Sequence, residues 1–93
     1  MPTHEDLGQA VRRLRRARNL SIEALAFAAE MHPTYLSAIE RGERNPSWAK
    51  LCALAAALRL PVCQLVQVIE EEAEIARAVR EARARLARKY QGQ

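Results

Sequence analysis

The chain has 93 residues, of which 49% are hydrophobic but only 4% are aromatic, so its apolar part is mainly Ala and Leu. This composition favours helices over strands, and no segment shows the alternating pattern of a half-buried strand. No apolar run is long enough to cross a bilayer and no signal peptide is recognisable. We therefore expect a soluble, cytoplasmic, all-α protein.

The charge is basic, with a formal net charge of +4 and a pI of about 9.7. Residues 1–69 carry 9 Lys and Arg against 6 Asp and Glu, whereas residues 70–93 carry 6 against 5. The excess positive charge therefore lies mainly in the first part of the chain. A balance of this kind suits a polyanionic partner.

Several kinds of chemistry find no support in the sequence. Cys52 and Cys63 lie in apolar helical patterns and are predicted to be buried free thiols in a reducing cytoplasm. With His4 and His32 they match no known ligand spacing, so we expect no metal. There is no nucleophile–base constellation, no phosphate-cradling glycine loop and no carboxylate pair placed for catalysis. We expect neither an enzyme nor a bound cofactor.

The first two helices are predicted from their N-terminal caps. Thr3 followed by Asp6 resembles a capping box, so the first helix starts there and extends to Arg18. Ser21 is a favourable N-cap for a second helix over 22–30, which is rich in Ala. Small residues on that helix allow another helix to approach closely.

Three more helices follow in the pattern. Pro33 suits the first position of a third helix over 33–41, and Gly42 is placed to end it with a left-handed cap. Asn45-Pro46-Ser47 forms a turn that caps a fourth helix over 48–58. Pro61 opens a fifth segment with an apolar stripe.

A resemblance to a known family emerges at this point. The residues that carry it are Leu20-Ser21, Leu25-Ala26, Tyr35-Leu36-Ser37, Ile39-Glu40-Arg41-Gly42 and Asn45-Pro46-Ser47. In this order and spacing the sequence resembles the phage-repressor and Cro-type helix-turn-helix DNA-binding proteins over about residues 7–68. The resemblance implies a five-helix domain whose third helix enters the major groove while the second crosses the backbone.

The resemblance also implies roles for single residues. Candidates to read bases are His32, Thr34, Tyr35, Ser37 and Ala38, although the Tyr35 ring could equally belong to the core. Candidates to bind phosphate are Ser21, Arg41, Arg44 and Asn45, with solvent exposure an equal alternative for Arg44. An ion pair between Arg15 and Glu40 is expected to fix the recognition helix. The sequence departs from the family at Ile22, where Gln is common, and at Glu30, where Gly is common in the turn. Glu30 implies either some backbone strain or a reshaped turn.

The composition changes near Ile69, so we divide the chain into a DNA-binding domain (1–69) and a C-terminal helical extension (70–93). No linker separates them, which leaves open whether the fifth helix continues into the extension. Acidic residues come first and basic residues last, which suits a helix that starts near Glu70. A thin apolar stripe, spaced as in a coiled coil, comprises Ile75, Val79, Ala82 and Leu86.

This stripe is too weak to stabilise an isolated helix, so the extension needs a partner. Self-association is the favoured interpretation, and the alternatives are packing on its own domain or contact of its basic end with flanking DNA. The predicted function is a sequence-specific transcriptional regulator that binds double-stranded DNA as a homodimer. The alternative is an antitoxin-type or other partner-binding protein whose C-terminal helix engages another protein.

Overall fold

The structure, a computed structural model, describes residues 1–91 and contains no strand in that range. Its helices are α1 (His4–Ala17), α2 (Ile22–Ala28), α3 (Pro33–Glu40), α4 (Trp48–Ala57) and α5 (Val62–Gln91). The predicted all-α class and the helix order are confirmed. Within residues 1–91 no single helix is both long and apolar enough to cross a membrane. Helices α4 and α5 meet those criteria only as a pair bent by 99°.

The first four helices begin at side chains that accept a backbone N–H. The Thr3 N–H donates to Asp6 Oδ2 at 2.8 Å and the Asp6 N–H donates to Thr3 Oγ1 at 3.3 Å, which is the predicted capping box. Ser21 and Ser47 each accept the N–H three residues further along the chain, at 3.0 and 3.2 Å. Local sequence alone therefore determines where these helices start.

The first four helices end in the same left-handed turn. The residues with positive φ are Asn19 (55°), Glu30 (56°), Arg59 (59°) and Gly42 (78°). In each turn the N–H of the next residue donates to a carbonyl five positions back, at 2.9–3.1 Å, as in a Schellman motif. Each helix ends one or two residues earlier than the sequence pattern suggested because this turn takes over its last carbonyls. Glu30 keeps the usual turn conformation, so the turn is not reshaped.

The core lies between the first four helices and the start of α5. Its largest fully buried side chains are Leu25, Leu36, Ile39, Leu54, Leu58, Leu65 and Val11. Helices α1 and α3 approach closely at Gly8, where an added Cβ would lie 2.5 Å from the Ile39 carbonyl oxygen. A separation below van der Waals contact means that only glycine fits there.

The fifth helix continues into the extension, which the sequence left open. Helix α5 begins at Val62, directly after Pro61 as predicted for the fifth segment, and continues without interruption to Gln91. A separate helix N-terminus near Glu70 is therefore wrong. Leu65 and Ile69 pack into the core and direct the helix onward, with no Gly or Pro to stop it. The division at Ile69 is therefore not marked by a break in the backbone.

The two cysteines are free, as expected, but they are not buried as expected. Cys52 is half-buried and Cys63 is exposed, since it lies in the first turn of α5 on a side that does not face the core. Within residues 1–91 no three His, Cys, Asp or Glu side chains come together in a group that would hold a metal ion.

Candidate nucleic-acid interface

Helices α2 and α3 form a compact pair joined by a short turn. Leu25 and Ala26 of α2 are fully buried, as are Leu36 and Ile39 of α3. The Met31 N–H donates to the Ala26 carbonyl at 2.9 Å, which closes the turn between the two helices. One face of α3 is thereby fixed against α2 and the core, and its N-terminal end and outer face stay accessible.

His32 caps the N-terminus of α3. Its Nδ1 accepts the Thr34 N–H at 3.0 Å, so a neutral imidazole in this position carries its proton on Nε2. The His32 and Thr34 side chains are both exposed. The start of α3 therefore presents an imidazole N–H donor and a hydroxyl group side by side to solvent.

Most of the predicted contact residues surround one open depression on the outer face of α3. Its lining residues are His32, Thr34, Tyr35, Ala38, Arg41, Glu43 and Arg44. Ala38 is only 9% exposed and forms part of the floor. Ser37 is half-buried, Ser21 and Asn45 are exposed, and none of the three lines the depression. The structure thus brings together four of the five base-reading candidates and two of the four phosphate-binding candidates.

Tyr35 serves both of the interpretations that the sequence left open. Its ring is half-buried and packs against the core cluster, yet it also lines the depression. Lys50 Nζ lies 6.0 Å from the ring centroid, at the outer limit of a cation–π contact. Tyr35 is therefore held against the core while it also contributes to the lining of the depression.

Arg41 already has an anionic neighbour inside the depression. Its Nε donates to Glu43 Oε2 at 2.8 Å and its Nη2 to Glu43 Oε1 at 3.2 Å. This hydrogen bonding raises the pKa of Arg41 and lowers the pKa of Glu43. Both groups are exposed, so water and salt screen the pair. A phosphate that approached Arg41 would have to compete with this carboxylate.

A buried carboxylate ties α3 to α1. Arg15 Nε donates to Glu40 Oε2 at 2.7 Å and Arg15 Nη2 donates to Glu40 Oε1 at 3.1 Å, so the contact is bidentate. Arg12 Nε reaches the same Oε1 at 3.4 Å. The side chains of Glu40 and Arg15 are 1% and 11% exposed. Two guanidinium groups thus offset a carboxylate that stands unfavourably at a helix C-terminus.

The same arginine also holds the turn before α2. Arg15 Nη1 donates to the Leu20 carbonyl at 2.8 Å. The hydrogen bond to Glu40 raises the pKa of Arg15 even though burial opposes the charge. Arg15 therefore connects α1, the start of α2 and the end of α3. This network orients α3 without itself reaching the depression.

Sequence reasoning missed two residues of this arrangement. Arg12 had no predicted partner, and Gly8 carried no pattern of its own. Their spacing does contain a weak signal, since Gly8, Arg12 and Arg15 lie on one face of α1 at helical intervals. Only the docked helix shows that this face meets α3.

Known proteins share this sequence pattern. A model of the helix-turn-helix domain family matches residues 6–67. The control protein C.SmaI of Serratia marcescens is 41% identical over 66 residues, which cover 71% of this chain and 79% of that protein. Across the curated relatives the match spans between 50% and 89% of the relative's length.

Solved structures give the same result. The restriction-modification controller protein C.AhdI of Aeromonas hydrophila superposes with a TM-score of 0.65 at 39% identity, over 67% of this chain and 94% of that one. The clp gene regulator ClgR of Corynebacterium glutamicum superposes with a TM-score of 0.81 at 29% identity, over 97% and 95%. The likeness to ClgR therefore extends along α5 and is not confined to the first four helices.

Proposed function

Because the chain belongs to the helix-turn-helix family of DNA-binding transcriptional regulators, we propose that it reads operator half-sites in the major groove with α3. The observation that carries this proposal is the depression on the outer face of α3, where polar side chains and two arginines converge. Helix α3 fits a major groove only if its orientation is fixed, and the Arg15–Glu40 network fixes it. The role is regulatory rather than catalytic, and its place is the cytoplasm.

Two classes of contact are proposed. His32 and Thr34 at the exposed start of α3 read base edges, with Tyr35, Ser37 and Ala38 contributing apolar or single hydrogen-bond contacts. Phosphate contacts come from the loop after α3 and the cap of α2, namely Arg41, Arg44, Asn45 and Ser21. Since α3 has no Arg, Asn or Gln in its first turn, direct readout is modest and DNA shape contributes.

The proposed working form is a homodimer. Repressor-type domains bind two half-sites about one helical turn (~34 Å) apart, so two copies read an inverted repeat. The apolar stripe of α5 supplies a surface for this association, because Ile75, Val79 and Leu86 are 50%, 42% and 55% exposed. Packing of the stripe on its own domain receives no support from these exposures.

The test is selection of bound duplexes from a random DNA library at ~150 mM salt, where nonspecific binding is already weak. We expect enrichment of an inverted repeat. Thr34→Ala should relax the preference at one position of each half-site. Arg44→Ala should weaken binding to all sequences alike and reduce the slope of log K against log salt by about 1.

Arg59→Ala is the matched control, because it removes one exposed arginine outside the depression. It should leave the salt slope unchanged. If Thr34→Ala and Arg44→Ala both lower affinity without changing preference, the base-reading role of Thr34 is wrong. If no motif emerges and binding fades with salt, the alternative of a partner-binding protein whose C-terminal helix engages another protein replaces this proposal.

A further inference from the structure

The apolar stripe on α5 does not end at Ile75. Seven residues earlier, on the same face of the helix, lies Val68, which is half-buried. Val68 and Ile75 are one heptad apart, and Val79 and Leu86 are another. The seam therefore begins inside the folded domain and extends to Leu86, with Glu72 as its one charged position.

Where the seam meets the domain, the surface forms a shallow depression. Its lining residues are Leu14, Leu60, Gln64, Gln67, Val68 and Glu71. The three apolar members come from α1, from the turn before α5 and from α5 itself, and each is only partly covered. The domain thus offers an uncovered apolar floor beside the start of its own seam.

Acidic and basic residues flank opposite ends of the seam. Glu71 flanks it near the domain, and Arg85 flanks the same side two heptads later. Glu72 falls on the seam itself, but its carboxylate is already engaged, with Arg13 Nη1 2.6 Å from Glu72 Oε1 and the side chain 15% exposed. One end of the seam is therefore acidic and the other is basic.

We infer that α5 pairs with α5 of a second copy in an antiparallel arrangement with a defined register. This inference rests on the proposed homodimer and specifies its geometry. Val79 packs on Ile75 of the partner subunit, and Leu86 packs on Val68 of the partner subunit. The end of each helix then covers the Leu14–Leu60–Val68 floor of the other copy.

The same register places flanking residues of opposite charge next to each other. When Leu86 lies against Val68 of the partner subunit, Arg85 lies opposite Glu71 of the partner subunit, and symmetry repeats the pair. The two-fold axis falls near Arg77, where Ala76 and Ala78 flank the seam and let the helices approach closely. Apolar contact, opposite charge and small size thus select one alignment.

A parallel pair would not use these charges. Flanking residues in a parallel pair meet a residue five positions further along the partner, so Glu71 would face Ala76 of the partner subunit and Arg85 would face Tyr90 of the partner subunit. The opposite-charge pair would be lost.

Cross-linking of single cysteines tests the direction and register. In the full chain with Cys52→Ser and Cys63→Ser, Ala78→Cys lies near the axis and should link to its own copy through a short bis-maleimide. Ala82→Cys should not link, because its two copies would be about 15 Å apart along the axis. Ala82 lies on the seam, so a parallel pair would give the opposite result. Linkage at position 82 without linkage at 78 overturns the inference.

A charge exchange tests the flanking pair by sedimentation equilibrium. Glu71→Arg alone and Arg85→Glu alone should each weaken self-association by about tenfold, since each breaks two symmetric pairs and adds repulsion. The double variant should return to within about twofold of the original. Glu70→Arg with Arg88→Glu is the control, because both residues are exposed on the opposite side of the helix. A double variant that stays weak contradicts the register.

These outcomes are separate from those of DNA selection. A chain that stays monomeric in solution but enriches an inverted repeat overturns the antiparallel helix pair and leaves DNA reading intact. A chain that cross-links at position 78 but enriches no motif supports the pair and overturns the proposed reading of operators.

Discussion

The two ends of α5 are one helix but are stabilised in different ways. Leu65 and Ile69 are 0% and 6% exposed and belong to the core, whereas Ile75 and Leu86 are 50% and 55% exposed. The domain end is held by tertiary packing, whereas within the described residues the exposed far end makes one local ion pair, Arg77–Glu74. Because isolated helices of this length are marginal in water, we expect the far end to depend on association. In the proposed homodimer, one continuous helix combines a folding element with a binding element.

Removing one carboxylate from a buried ion pair of the folded domain, and another from an exposed ion pair of α5, should give the largest difference in stability. Glu40→Ala removes a carboxylate that is 1% exposed and leaves Arg15, 11% exposed, without its partner. Removing one member of a buried pair typically costs 3–5 kcal/mol, so we expect the free energy of unfolding to fall by about 4 kcal/mol. Urea denaturation followed by circular dichroism measures this.

Glu74→Ala is the matched change in the extension. Its carboxylate lies 3.9 Å from Arg77 Nη2 and both side chains are well exposed. We expect a change below about 0.5 kcal/mol, as for other exposed pairs. If Glu40→Ala lowers the free energy of unfolding no more than Glu74→Ala does, the Arg15–Glu40 network does not hold α3 in place.

Shortening one leucine in each part of α5 gives the next contrast. Leu65→Ala leaves a cavity in the core, and such changes cost 2–5 kcal/mol, so we expect about 3 kcal/mol. Leu86→Ala should cost less than about 0.5 kcal/mol at protein concentrations where the chain is monomeric. At higher concentration Leu86→Ala should weaken self-association, which Leu65→Ala does not do directly.

The measurement is a urea transition at several protein concentrations. The original midpoint should rise with concentration, because association stabilises the folded form, and Leu86→Ala should abolish that rise. A concentration-independent midpoint for the original chain would contradict a role of Leu86 in association. Ala87→Gly, at an exposed neighbouring position, controls for helix propensity.

Local chemistry explains which parts of the fold could be predicted. The caps at Thr3, Ser21 and Ser47 and the left-handed turn at Gly42 depend on residues within a few positions of one another. Such short-range signals can be recognised in a single sequence. The helix order and the α2–α3 pair followed from them. The base-reading and phosphate-binding roles stay predictions that the DNA experiments address.

What could not be predicted depends on contacts between distant segments. Gly8 has no local role, and its importance comes from the Ile39 carbonyl, which approaches only when α3 docks on α1. Arg12 gains its function from a carboxylate 28 positions away. The start of α5 after Pro61 could be predicted, but its continuation past Ile69 could not, because the acidic run at Glu70 is by itself a signal for a new helix start.

An effect smaller than those at Glu40 and Leu65 is expected in a turn inside the DNA-binding domain. Glu30 is exposed and adopts φ +56°, a conformation that costs a residue with a Cβ roughly 1–2 kcal/mol. Glu30→Gly removes this strain, although glycine loses more backbone entropy on folding. We expect a net stabilisation of about 1 kcal/mol, measured as a rise in the urea midpoint.

Asn19→Gly should gain less, because Asn tolerates the left-handed region better than Glu. Gly42→Ala should lower stability, since its Cβ would also lie 2.7 Å from Glu5 Cγ. Equal gains at positions 19 and 30 would show that strain at Glu30 is not the cause.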